Sequence, residues 1–161
     1  MARTIRYFTS YAGNDSRLAD TVLALLKPLF AASNRYWHAV WQYREHLLVG
    51  ERWHQRLQAE AAGCHFGLLL VSPSFLASDY ISRHELPHFV GDAGKPVIPV
   101  GLKPVDLQRH DLKGLEAHQI FRLDSHCFSE LTTRQQRDRF AIALFAQIED
   151  RLSHVLAAAL S

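Results

Sequence analysis

Residues 65–71, His65-Phe66-Gly67-Leu68-Leu69-Leu70-Val71, run almost without a polar side chain and stop at Ser72-Pro73. Successive side chains of a strand point to opposite faces, so a strand can be apolar at nearly every position only where both faces are buried. A parallel sheet covered by helices on both sides meets that condition, and this run is its expected central strand. Ser72-Pro73 is the cap and first-turn pairing that opens many helices.

The flanking segments keep the same alternation. Residues 4–9 are β-branched and aromatic and run into the polar turn Ser10-Tyr11-Ala12-Gly13-Asn14-Asp15. From Ser16 onward Leu18, Val22, Leu25, Leu26 and Leu29 recur at helical spacing, with Asn14 or Asp15 available as N-cap. Residues 36–41 read as a second strand, 43–51 as a polar loop containing Gly50, and 53–62 as a helix closed by Gly63. Residues 95–102 give a fourth strand, which Pro96 and Pro99 push toward an edge, and 119–123 a weaker fifth. Residues 130–156 carry Leu131, Phe140, Leu144, Ile148, Leu152 and Val155 at helical spacing, so one long helix is expected to close the chain. Strands alternating with helices imply right-handed crossovers, with ligands collecting at the carboxyl ends of the strands.

At 161 residues and 48% hydrophobic, the chain has the material for one domain that buries such a sheet without disulfides or metals. Its apolar runs fall far short of the roughly 18 to 20 residues needed to span a bilayer. The 18 basic residues are scattered among 16 acidic ones, for a net charge of +2, which argues against direct nucleic-acid binding. Cys64 and Cys127 are the only cysteines, and no apolar signal segment precedes the first strand, so a reducing cytoplasmic setting is expected. Cys64 reads as a buried thiol beside the central strand, and neither cysteine is assigned a catalytic role.

Three segments in order carry a family resemblance: Ile5-Arg6-Tyr7-Phe8-Thr9-Ser10-Tyr11; Trp41 through Gly50-Glu51-Arg52-Trp53; and Ser72-Pro73-Ser74-Phe75-Leu76-Ala77-Ser78-Asp79-Tyr80-Ile81-Ser82-Arg83-His84-Glu85-Leu86-Pro87. Lys95-Pro96-Val97-Ile98-Pro99-Val100 follows in place. Together they resemble the TIR (Toll/interleukin-1 receptor) family, bacterial type, over about residues 4–105, with 106–156 as a C-terminal helical part of a single 1–161 domain. The resemblance implies a flavodoxin-like three-layer α/β fold with a mainly parallel five-stranded sheet. It also implies that the loop over residues 43–51 is mobile and flanks the active-site cleft.

Many bacterial TIR domains cleave NAD+ at the nicotinamide–ribose bond or make cyclic ADP-ribose isomers, and the glutamate they require maps onto Glu85. Breaking that bond builds positive charge on the ribose, which a nearby carboxylate can stabilise. By the same resemblance Phe8, Ser10, Tyr11, Trp41, Arg44 and Tyr80 border the substrate. NAD+ is then a substrate and no cofactor is required. Further implications are self-association through TIR–TIR contacts, a sensor domain or partner subunit, no membrane contact, and a role in antiphage defence. Two departures stand out. Tyr80 occupies a position where tryptophan is frequent, and it lies five residues before Glu85 where many relatives have four. The acidic residue common in the mobile loop is absent, with Tyr43 and Arg44 in its stretch and Glu45 the nearest carboxylate.

Other readings of the same residues compete with these. Ser82-Arg83-His84-Glu85 fits a helix capping box. His84-Glu85-Leu86-Pro87-His88 satisfies the H-E-x-x-H zinc-hydrolase pattern, although Pro87 would disturb the helix that must place both imidazoles on one face. Trp37, Trp41 and Trp53 read first as packing residues. A phosphoacceptor receiver would need an acidic cluster after the first strand, where Ser10-Tyr11 stand. A dehydrogenase would need G-x-G-x-x-G there, and the first turn offers only Gly13. A non-catalytic interaction module, with the 43–51 loop as its adhesive surface, is the alternative within the family.

Overall fold

A computed structural model describes residues 3–41, 52–91 and 94–160. Four parallel strands, β1 (Arg3–Ser10), β2 (Tyr36–Trp41), β3 (Phe66–Val71) and β4 (Val97–Gly101), form one sheet in the order β2-β1-β3-β4. All six residues of β3 are buried, in keeping with its apolar sequence. Alternate side chains feed two cores. Ile5, Tyr7, Leu68, Leu70 and Val100 pack under α1 (Ser16–Ala31) and the long α4 (Arg134–Leu160). Phe8, Trp41, Leu69, Val71 and Val97 pack under α2 (Trp53–Gly63), the short α3 (Pro73–Ala77) and the turns that follow it. The result is the expected three-layer arrangement.

Local chemistry explains most element ends. Ser72 caps α3, its hydroxyl accepting from the Phe75 N–H at 3.0 Å. The start of α4 falls at Arg134 and not at residue 130. Thr133 and Gln136 form a capping pair there, the Thr133 hydroxyl accepting from the Gln136 N–H at 3.1 Å while the Gln136 side chain accepts from the Thr133 N–H. Residues 128–130 instead make a separate 3-10 turn.

The expected fifth strand shrinks to one bridge. Phe121 pairs with Val100, donating to the Pro99 carbonyl and accepting from the Gly101 N–H. One step back along the chain the ladder would need an N–H from Pro99, which has none. One step on, the Leu123 N–H turns to His126 and the Lys103 N–H to Val71, and the chain bends through Asp124 and Ser125 at positive φ. The sheet is therefore four strands plus this bridge. A groove of about 910 Å³ runs beside the bridge and α4, away from Glu85.

Two of the three tryptophans depart from the packing role: Trp37 is 64% and Trp53 47% exposed, whereas Trp41 is buried. Cys64 and Cys127 are both buried free thiols, and burial raises the pKa of each. Among the described residues no helix is long and apolar enough to cross a membrane.

Candidate active site

After α3, Ser78 caps a second helical start by accepting from the Ile81 N–H at 3.2 Å. The turn that follows, Ile81–Glu85, is wound as a π-helix, with Leu86 N–H donating to the Ile81 carbonyl five residues back. Pro87 supplies the reason. In an α-helix its ring would collide with the carbonyl of Arg83, four residues earlier. Widening the turn removes that collision, and the chain leaves it as a 3-10 turn, Leu86–His88, whose first residues tolerate proline. The His84 carbonyl is picked up by the Gln58 amide of α2 at 2.9 Å.

This winding bears on the extra residue between Tyr80 and Glu85. In a π turn residues five apart stand one above the other, much as residues four apart do in an α-helix. Here, however, the Tyr80 ring lies against His84, four residues on, at 4.7 Å, while Glu85 is buried beside Ser10. Single π turns of this kind recur at functional sites.

Glu85 is 6% exposed. Burial pushes its carboxyl up to about 7, and the Ser10 hydroxyl at the end of β1 pulls in the opposite direction. Ser10 is itself buried, and its hydroxyl has no partner within hydrogen-bonding geometry among the described residues. The capping-box reading fails here: Ile81 is capped by Ser78, Ser82 Oγ is buried with no partner among the described residues, and the Glu85 carboxyl turns to Ser10. The zinc-hydrolase pattern is also split. The His84 ring lies 4.7 Å from Tyr80 and 4.9 Å from His54, His88 Nε2 pairs with Gln58 at 3.2 Å, and Glu85 faces the sheet. Among the described residues no three His, Cys, Asp or Glu groups are arranged to hold a metal ion.

The wall around Glu85 is aromatic. Phe8 stacks on Trp41 at 5.8 Å and 9°, with Phe89 stacked on its far side at 6.0 Å. Phe8 is fully buried, so it backs Trp41 and has no surface to offer a ligand in this conformation. Trp41 keeps a small exposed fraction, its Nε1 has no partner among the described residues, and the Arg56 guanidinium lies 5.8 Å from its ring. Tyr80 donates to or accepts from His54 Nδ1 at 2.7 Å and lies against Trp53, whose ring centroid is 5.2 Å away. Ser10, Glu85, Trp41 and Tyr80 thus share one layer. Tyr11 does not join them, because its ring packs on the α1 and α4 side of the sheet. Arg44 and the loop over residues 43–51 lie outside the described residues.

One cluster here was not foreseen. Asp15, expected at most to cap α1, makes no cap bond; its buried carboxylate accepts from Ser72 Oγ at 2.5 Å and pairs with Lys103 Nζ at 2.7 Å. It ties together the ends of β1, β3 and β4. The only signal in the sequence is that each of those strands is followed closely by a polar residue.

A family model described as TIR domain matches residues 8–149. The chain belongs to the TIR domain family. No curated protein matches it significantly. The match extends the TIR assignment through the bridge at Phe121 and most of α4, well past residue 105, where the sequence motifs stop. In this TIR domain the carboxyl ends of the parallel strands, where ligands of such sheets gather, hold Ser10, Trp41 and Ser72, with Glu85 leaning over the first of them.

Proposed function

We propose that this TIR domain is an NAD+ glycohydrolase in which Glu85 is the catalytic carboxylate. The observation that carries the reading is a buried glutamate, held near neutral pKa beside a buried serine, under an aromatic wall at the carboxyl end of the sheet. A carboxyl group whose pKa is strongly perturbed by burial is a functional-site candidate. When the nicotinamide–ribose bond breaks, its electron pair leaves with the nicotinamide nitrogen and the ribose becomes cationic. Ionised Glu85 stabilises that cation. Water then adds to the anomeric carbon and releases a proton, giving nicotinamide and ADP-ribose; attack by the adenine ring gives a cyclic isomer instead. Ser10 lies beside the carboxylate and lowers its pKa, and Trp41 and Tyr80 offer faces to the planar rings. Tyr11 and Arg44 belong to the same proposal through the family alone.

The reading extends to a cytoplasmic effector that is activated by self-association and coupled to a sensor domain or partner subunit, with antiphage defence as its setting. The test is nicotinamide release from NAD+ at high protein concentration with a crowding agent, for wild type, Glu85→Ala and Glu85→Gln. Release by wild type that both variants abolish supports the assignment. Release surviving both places catalysis elsewhere, and no release from assembled protein favours the non-catalytic interaction module.

A further inference from the structure

The helix α2 lies along the segment that carries Glu85: its Leu57 and Ala61 belong to one buried cluster with Ile81 and Leu86. Gln58, beside Leu57 on that helix, is half-buried. Its amide spans the glutamate. Nε2 donates to the His84 carbonyl at 2.9 Å, one residue before Glu85, and Oε1 lies 3.2 Å from His88 Nε2, three residues after it. The first bond fixes the sense of the second: a carbonyl only accepts, so the amide turns its NH2 to His84 and leaves its oxygen to accept from the imidazole. The far end is anchored too. The His88 carbonyl accepts from the Lys95 N–H at 2.9 Å, and the Lys95 ammonium returns to the end of α2, donating to the carbonyls of Ala62 at 2.7 Å and Cys64 at 2.8 Å. The contacts form a closed ring from α2 through Gln58, His88 and Lys95 back to α2.

A restraint is needed at this place. A π turn is a rare winding, and this one carries a carboxyl group whose titration is governed by burial. The ionised carboxylate gains from any loosening that admits water, so the group itself pulls the turn open. We propose that Gln58 is a positioning residue for Glu85, bracing the π turn from α2 on both sides of the glutamate. Gln58 touches the backbone of His84 and the ring of His88, so it acts through the turn and is not a catalytic group. The consequence for catalysis rests on the glycohydrolase reading of Glu85; the brace itself does not.

The test compares wild type with Gln58→Met, which keeps the side-chain length and the helix propensity and removes both bonds, and with Gln55→Met, at an exposed position of the same helix. Gln58→Asn, one methylene too short to span both groups, takes its place should Gln58→Met not fold. The first readout is the titration of Glu85 by carbon-13 NMR of its side chain. The wild-type midpoint is about 7. Without the brace the carboxyl reaches water and the midpoint is expected to fall by at least about 0.5 pH unit, with Gln55→Met unchanged. A Gln58 that only stabilised the fold would lower the urea midpoint and leave this titration where it is. The second readout is nicotinamide release, in which Gln58→Met is expected to lose about tenfold or more in kcat with KM changed less than about twofold. An unmoved Glu85 midpoint in Gln58→Met, or an equal fall in Gln55→Met, would overturn the proposal. A lowered midpoint in a protein whose wild type releases no nicotinamide would uphold the brace and remove the glycohydrolase reading instead.

Discussion

Glu85 should make this protein less stable at neutral pH than a variant that lacks its charge. In the folded chain the carboxyl titrates at about 7, against an ordinary value of 4.5, because burial disfavours the charged form. A rise of about 2.5 in pKa, at about 1.4 kcal/mol each, amounts to about 3 kcal/mol. Below pH about 4.5 both folded and unfolded chains hold the proton and no penalty exists. Between 4.5 and 7 the unfolded chain releases its proton while the folded chain keeps it, so stability falls as pH rises. Above 7 the whole penalty is present. Glu85→Gln keeps the shape and never ionises. It is expected to be more stable than wild type by about 3 kcal/mol at pH 8 and by about 1 kcal/mol or less at pH 5. For a chain of this length that is a gain of about 6–12 °C in Tm at pH 8. Thermal and urea unfolding of both proteins at the two pH values measure it directly. A Glu85→Gln protein no more stable than wild type at pH 8, or one offset equally at both pH values, would refute the claim that a buried, strained carboxylate stands there.

Three further outcomes follow from the same geometry. Ser10→Ala removes the hydroxyl that lowers the Glu85 pKa, so the carboxyl should titrate above its wild-type midpoint, as read by carbon-13 NMR of the glutamate side chain. Gly67→Ala would place a Cβ 2.6 Å from the Phe89 ring, which is buried and stacked on Phe8; a loss of about 1–3 kcal/mol in urea unfolding is expected, and a neutral result would mean that this core yields. Asp15→Ala strands the Ser72 hydroxyl and the Lys103 ammonium. Because Lys103 is partly solvated, the cost should be about 3 kcal/mol, toward the lower end for a broken buried pair, and Asp15→Asn, which can still accept from Ser72, should cost less.

Much of the fold is legible from periodicity, because burial on both faces leaves a plain mark. The run ending at Val71 fixes the central strand, and β2 and α1 fall where alternation and helical spacing put them. The misplacements have local causes that pattern does not carry. The fifth strand depends on whether one residue of β4 can donate, and Pro99 cannot. The start of the last helix depends on which polar residue reaches a backbone N–H, and Thr133 with Gln136 takes that role ahead of Glu130. The exposed Trp37 and Trp53 show that a large apolar side chain at a strand edge or a helix start answers to its surroundings before its hydropathy.

The candidate site was legible in a different way. No short pattern separates the Glu85 of a capping box, a zinc hydrolase and a family glutamate, since all three use the same residues. What separates them is direction, and direction here is set by Pro87. The proline excludes an α turn, the widened turn carries Glu85 inward to Ser10, and the two flanking histidines are left to separate partners, His84 on Tyr80 and His54, His88 on Gln58. The residue that made the zinc geometry doubtful in the sequence is therefore the one that builds the glutamate's position. The extra residue after Tyr80 remains a departure: in the π-wound turn Tyr80 lies against His84, and Glu85 is buried beside Ser10. It is the winding of the turn that decides which side chains can meet over a ligand.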